Sequence, residues 1–382
     1  MNSQEAVKVD QKLISNVKNV GVGQTKVEYA NLFRRRLTSV LEITAVVLIG
    51  YLLAGIIILS LGIGIGAEGL LPTGDNPDWI KAAIDITISV SIQYSIVLGL
   101  AYLIGKYHRN RSLREYGITT NNRSVSNLSK IAIIAFAFAS IPILVMKFLR
   151  EIIGNTSEFF RLPFTQDLAS TGNLFQLDFL IFLAAGDLIL VVICEELLFR
   201  GYIQTRLAED FGHPAAIIMT GLVFAFSHVQ YFFFGFFGIG NIIVSLFFMF
   251  TLGYLYYKTK SLLPGMFLHF LINLPYRGYT ILLILIISIS ISFFYRKTIY
   301  KHLKEMWTKL KDMPSKMSIL FFGIYFIVFA LAVGFQITIV FIIGILTFPI
   351  ALFLIYKDHK YAKLNKITPS VDRKTIIEHP IS

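Results

Sequence analysis

Runs of about 20 mostly apolar residues recur along this chain, and a helix needs a run of that length to cross the hydrocarbon core of a bilayer. Ten stretches qualify, near 43–66, 84–105, 130–149, 178–198, 214–232, 239–257, 262–275, 279–295, 317–334 and 336–356. The stretch at 262–275 is short and holds Pro264 and Pro275, which suits a tilted or half-buried segment. Backbone polar groups in lipid must be satisfied within the segment, so apolar runs of this length are read as helices. The expectation is an all-α fold, a polytopic transmembrane helix bundle of eight to ten spans. Composition agrees, with 55% hydrophobic and 15% charged residues, where a soluble domain carries roughly 25% charge. These values exclude a disordered chain, a collagen and a coiled coil. The one cysteine, Cys194, excludes an internal disulfide and a thiolate metal cluster.

The net charge of +12 would suggest nucleic acid in a soluble protein, but here it follows the loops. Arg34, Arg35 and Arg36 precede the first run, and the next loop holds Glu68, Asp75 and Asp78 with only Lys81. Basic loops then alternate with neutral or acidic ones, through Lys106 to Arg123, Arg200 and Arg206, Lys258 and Lys260, and Arg296 to Lys316. By the positive-inside rule this pattern expects a multi-pass protein of the cell membrane with both termini cytoplasmic. The lipid bilayer is therefore the expected partner, and no nucleic acid is needed. The chain divides into a polar tail (1–36), N-terminal transmembrane helices (37–177), a core (178–295), a basic interfacial segment (296–316), a transmembrane hairpin (317–356) and a second tail (357–382). In 296–316, Ile299, Leu303, Met306, Trp307, Leu310 and Met313 recur at helical spacing among lysines. A helix lying in the interface produces that pattern, and so does a solvated basic loop.

Ionisable groups inside the apolar runs are the informative ones, since each costs roughly 2.5–3.5 kcal/mol at a helix centre and needs a partner or a wet cavity. Glu195 and Glu196 adjoin in the fourth run, pointing roughly 100° apart on an α-helix. Glu196 and Arg200 are spaced i,i+4 for an ion pair, which leaves Glu195 without a local partner. Phe224 lies one turn before His228 in the fifth run and can shield its ring. His269 and Asn273 are again i,i+4, so both can face one cavity. Counted from the basic ends of their helices, Glu195, His228, His269 and Asn273 lie roughly 16, 21, 12 and 18 Å deep. They can share one layer near the cytoplasmic side. Most single membrane histidines and asparagines are interhelical hydrogen-bonding groups, and a Glu–Arg pair is usually structural. Asp85, Gln93 and Asp187 are read as structural, His213 as a helix-start residue and Cys194 as packing.

Together the three groups, Glu195-Glu196-x-x-x-Arg200, Phe224-x-x-x-His228 and His269-x-x-x-Asn273, resemble the CAAX prenyl protease and bacteriocin-processing (CPBP, Abi) family of intramembrane endopeptidases. Phe199-Arg200-Gly201 and Thr259-Lys260-Ser261-Leu262-Leu263-Pro264 extend the likeness, which covers about 178–295. The resemblance implies hydrolysis of a peptide bond in a membrane-associated or prenylated peptide or protein substrate. Glu195 is then the general base on a water that His228 holds and polarises. His269 and Asn273 stabilise the oxyanion. Glu196 assists, or with Arg200 and Phe224 supports the geometry.

A zinc ion on Glu195, His228 and His269 is an alternative. The usual His-Glu-x-x-His spacing is missing, and the expectation favours a glutamate-activated water with no obligatory cofactor. A transporter or channel using the same buried groups is the competing class. It predicts inverted repeats, and none stands out. A non-catalytic scaffold or immunity protein is the third class, though no motif position is degraded.

Overall fold

The computed structural model describes residues 22–62, 79–109, 113–118, 124–153, 188–228, 235–274 and 279–311, with 320, 323–325 and 327. All regular structure among the described residues is helical. In chain order the helices are α1 (Val22–Ser60), α2 (Trp79–Arg109), a 3-10 turn (Leu113–Tyr116) and α3 (Val125–Ile153). Helix α4 covers 188–211 and is α-helical to 196, π-helical over Leu197–Gln204 and α-helical again over Thr205–Phe211. Then follow α5 (His213–Ser227), α6 (Gly235–Thr259), α7 (Leu263–Asn273), α8 (Tyr279–Phe294) and α9 (Arg296–Lys311). Asp187, most of the 317–356 hairpin and the whole of the 357–382 tail lie outside the described residues.

Four helical segments are long and apolar enough to cross a membrane: Phe33–Ser60, Thr87–Tyr107, Val125–Leu149 and Gly238–Thr259. The pair α8 and α9, bent by 77°, makes a fifth when counted as one broken span. The chain is a helical membrane protein, with fewer full-length spans among the described residues than the eight to ten expected. The difference lies partly in α5 and α7, which have 15 and 11 residues and so reach only roughly 22 and 16 Å at 1.5 Å per residue. In the fifth run the helix stops at Ser227, and His228 caps it with φ −86° and ψ 61°, while 229–232 lie outside the described residues. The bend before Arg296 puts the lysine-rich α9 across the end of α8.

Helix α4 is the centre of the bundle. Every residue from Leu198 to Gln204 is buried, the signature of a helix surrounded on all sides. It packs against α1, α2, α5, α6 and the 3-10 turn. Chain reversals set the neighbours. Gly212 (φ 80°) ends α4, and Pro214 opens α5. Between α6 and α7 the turn is held by the Thr259 hydroxyl, which accepts from the Ser261 amide and donates to a backbone carbonyl. Gly117 (φ 86°) offers its carbonyl to the Leu262 amide at 2.9 Å, docking the α2–α3 loop on that turn. Away from the centre, α8 rests on α3 through a buried Ser140–Ser288 hydrogen bond of 2.9 Å, polar glue of the kind that joins membrane helices.

A second charged cluster ties α1 to α4. Arg206, buried, meets Glu42 at 3.0 Å and Asp210 at 2.7 Å. Arg35 pairs with the other Asp210 oxygen at 2.9 Å, and Arg36 donates to the Asp210 carbonyl. Tyr202 donates to Glu42 from the next turn of α4. Removing one member of such a buried set strands the others without water. Arg206→Met is expected to cost about 3–5 kcal/mol of stability, and adding Glu42→Leu should restore part of it. Thermal unfolding of the two purified variants in detergent checks both.

Candidate active site

Glu195 and Glu196 converge on one imidazole. His269 Nδ1 lies 2.8 Å from Glu196 Oε1, and His269 Nε2 lies 3.6 Å from Glu195 Oε2. The expected divergence of adjacent carboxylates is overcome because His269 enters between them from α7, with a ring nitrogen toward each. Gly265, one turn earlier on α7, makes this approach possible: a Cβ there would sit 3.1 Å from Glu196 Oε2. Phe248 and Phe224 present tilted rings to the imidazole at 5.4 and 6.1 Å between centroids.

The predicted Glu196–Arg200 ion pair forms at 3.0 Å with both side chains 1% exposed. Arg200 also donates to the Met249 sulfur and stands over the Phe224 ring. Its position coincides with the π-helical stretch, a deviation that gathers at functional sites. Thr205 donates to the Arg200 carbonyl at 3.0 Å there. Glu196 is thus held by a cation on its own helix while it orients His269 on another.

Glu195, which local spacing leaves without a partner on its own helix, finds one on another. Tyr94 of α2, 101 positions away in sequence, donates to Glu195 Oε1 at 3.0 Å. A local helical pattern cannot show such a partner. Tyr94 is one of two site residues that sequence reasoning missed. The other is Lys147 on α3, whose ammonium donates to the carbonyls of Ile272 at 3.2 Å and Leu274 at 3.3 Å. The last carbonyls of a helix lack intrahelical donors, and α7 ends well short of a full membrane crossing. Lys147 supplies the donors. The signal that could have found it was a lone lysine inside the apolar run 130–149.

His228 and Asn273 each lie at the end of a helix. His228 sits at the end of α5, with its ring 4.3 Å from that of Phe224, the same ring that packs near His269. Its Nδ1 is 2.8 Å from the Phe224 carbonyl, and a carbonyl only accepts. That places the hydrogen on Nδ1 and makes Nε2 the proton-accepting atom of the neutral ring. Asn273, the last residue of α7, is exposed while His269 is buried. The i,i+4 spacing puts them on one face of α7, but α7 ends at Asn273 and the packing that covers His269 does not extend that far.

The donor set does not fit a zinc site. Both ring nitrogens of His269 face carboxylates, so neither is turned to a metal position. Among the described residues no three His, Cys, Asp or Glu side chains gather where they could hold a metal. Cys194, beside the glutamates, is buried as packing.

Glu195→Gln keeps the acceptor for Tyr94 and should leave thermal stability within about 1 kcal/mol. Glu196→Gln removes the counter-charge of buried Arg200 and should cost about 3–5 kcal/mol. Unfolding of both variants in the same detergent tests this division of labour. Lys147→Met is expected to speed hydrogen–deuterium exchange in the last turn of α7, read by mass spectrometry of peptides covering 266–274.

Residues 177–275 match the family described as Type II CAAX prenyl endopeptidase Rce1-like. No curated protein and no solved structure matches the chain. The match contains α4 to α7 and stops before α8, so it holds all three residue groups that carry the resemblance. The chain carries an Rce1-like domain of the type II CAAX prenyl endopeptidase (CPBP) family.

Proposed function

We propose that this protein is an intramembrane endopeptidase that cleaves peptide bonds of membrane-associated or prenylated substrates with a water activated by Glu195. The observation that carries the reading is the meeting of Glu195, Glu196 and His269 inside a domain of a protease family. Glu195 has one oxygen fixed by Tyr94 and the other directed toward His269. A carboxylate held in this way is a positioned base.

Water donates a proton to Glu195 as its oxygen attacks the scissile carbonyl carbon. His228 Nε2, at the end of α5, accepts a hydrogen bond from that water, the carbonyl π electrons move to oxygen, and Asn273, at the end of α7, donates to that oxyanion. The intermediate collapses, the C–N bond breaks, and Glu195 returns the proton to the leaving amine. One water is consumed, and a carboxylate and an amine are released. His269 holds the geometry of Glu195, and Glu196 with Arg200 holds His269. Phe224 walls both imidazoles.

The two short helices give this chemistry its access. α5 and α7 end at His228 and Asn273, so the residues that would hold the water and the substrate carbonyl lie at helix ends rather than on enclosed faces. The basic ends, namely Arg34 to Arg36, Lys258, Lys260 and α9, belong to the cytoplasmic side by the positive-inside rule. Both termini are then cytoplasmic.

Cleavage of candidate membrane peptides in proteoliposomes tests the reading. Glu195→Gln is expected to lower kcat by about 10²–10⁴-fold, the usual worth of a general base, with the fold intact. Cleavage at the wild-type rate would reject Glu195 as the base. Because the donor set does not suit a metal, activity should survive chelation. Loss on stripping with recovery on added zinc would overturn that part.

A further inference from the structure

A second site lies at the basic end of the bundle, away from the glutamates. The amino end of α5, the last turns of α6 and the lysine-rich helix α9 enclose a cavity of about 90 Å³. It is far smaller than the roughly 300–1,000 Å³ that encloses a whole small molecule, so it suits a single group. His213, Tyr254, Tyr257 and Lys309 supply its polar and aromatic lining, while Met306 and Leu310 of α9 close one wall.

The cations here outnumber the anions. Lys260 and Lys309 stand over the Tyr257 ring at 4.9 and 4.8 Å, and Lys258 over the same ring at 5.9 Å. Lys309 also donates to the Tyr257 hydroxyl. Lys260 Nζ comes within 3.4 Å of His213 Nε2. Glu305 is the carboxylate in contact with them, and it is taken up at 2.8 Å by Lys258, with Lys309 at 3.8 Å and the Tyr254 hydroxyl also donating to it. Two positive charges, those of Lys260 and Lys309, therefore share less than one negative charge.

The titration of these groups reflects that imbalance. Burial, reinforced by Lys260 and Lys309, brings His213 down to about 4. Burial, then Lys309, brings Lys260 down to about 8, still cationic at neutral pH. The first turn of α5 holds no acidic residue to offset the positive end of its dipole. Lys260 also occupies a left-handed conformation (φ 53°) that non-glycine residues seldom adopt. That conformation belongs to the turn that puts Lys260 beside the cavity.

We propose that this cavity binds the phosphate group of an anionic phospholipid, held by Lys260 and Lys309 with His213 at its base. The apolar walls from Met306 and Leu310 favour an amphiphile over a free ion. The exposed Tyr300, Leu303 and Trp307 of α9 are side chains that settle in the headgroup region. An occupied site fastens α9 to the start of α5, the helix that ends at His228.

The test uses the full-length protein in neutral detergent, titrated with short-chain phosphatidylglycerol, with phosphatidylcholine or with inorganic phosphate. Thermal midpoint and lipid adducts in native mass spectrometry are the readouts. Phosphatidylglycerol should raise the midpoint saturably and remain bound, with phosphatidylcholine inert. In K260Q/K309Q its half-saturation should weaken roughly tenfold or more, the worth of lost charge-assisted hydrogen bonds. The exposed pair K297Q/K301Q, with the same charge loss, should respond as wild type. Saturation by inorganic phosphate at equal concentration would identify a free phosphate as the occupant in place of the lipid. Equal response to phosphatidylglycerol and phosphatidylcholine, or equal response of wild type and K260Q/K309Q, would overturn the site. Lys309→Gln alone, at a half-exposed position, repeats the comparison should the double variant fail to fold.

Discussion

The buried pair between Glu196 and Arg200 is the interaction on which the centre of this protein depends. Each charge would be costly alone in a membrane interior, and neither is reached by water. Paired, they fix Glu196 so that the same oxygen, Oε1, meets both Arg200 and His269 on α7. The same imidazole then reaches Glu195. One ion pair within α4 therefore sets the distance between α4 and α7, and the orientation of the ring between the two glutamates. The π-helical stretch that holds Arg200 and the glycine that admits Glu196 to α7 serve that single arrangement.

Around it the bundle solves a repeated problem, the satisfaction of polar groups where water is scarce. Tyr94 serves Glu195, Lys147 serves the last carbonyls of α7, and Arg206 serves Glu42 and Asp210. The first two act on the proposed catalytic layer, and the third fastens α1 to the basic end of α4. The short helices α5 and α7 are tolerable under the same rule. The end of α7 is supported by Lys147 of α3 and that of α5 by its own Ser227 and His228, which meet the Phe224 carbonyl, and irregular backbone at membrane depth persists only with such support. The proposed endopeptidase activity uses those ends, since a peptide substrate needs groups that are reachable as well as groups that are held.

The candidate site was partly legible in residue spacing. The i,i+4 relation of Glu196 and Arg200 forecast their pair, and the Phe224–His228 relation forecast ring against ring. Both are contacts within one helix or at its end, where spacing dictates distance. The partner of Glu195 was not legible, because Tyr94 lies on α2, a hundred residues away. Nor was the separation of His269 from Asn273. Spacing places two residues on one face of a helix but does not say where the packing against that face stops. The span count shows the same limit: apolar length reports that a segment prefers lipid, not whether its helix breaks partway, as α5 does after Ser227.

What the sequence by itself determined is the class of solvent, the helical state and the candidate residues for chemistry. Long apolar runs must become helices in a bilayer, and charges left inside them must have a purpose. The motifs in 177–275 then name the family. Only the tertiary structure decided that two adjacent glutamates share one histidine, that Tyr94 and Lys147 belong to the site, and that α9 closes a cationic cavity against the start of α5. Those outcomes depend on distances between helices far apart in the chain, which side-chain volume and buried-charge pairing select and no local period records.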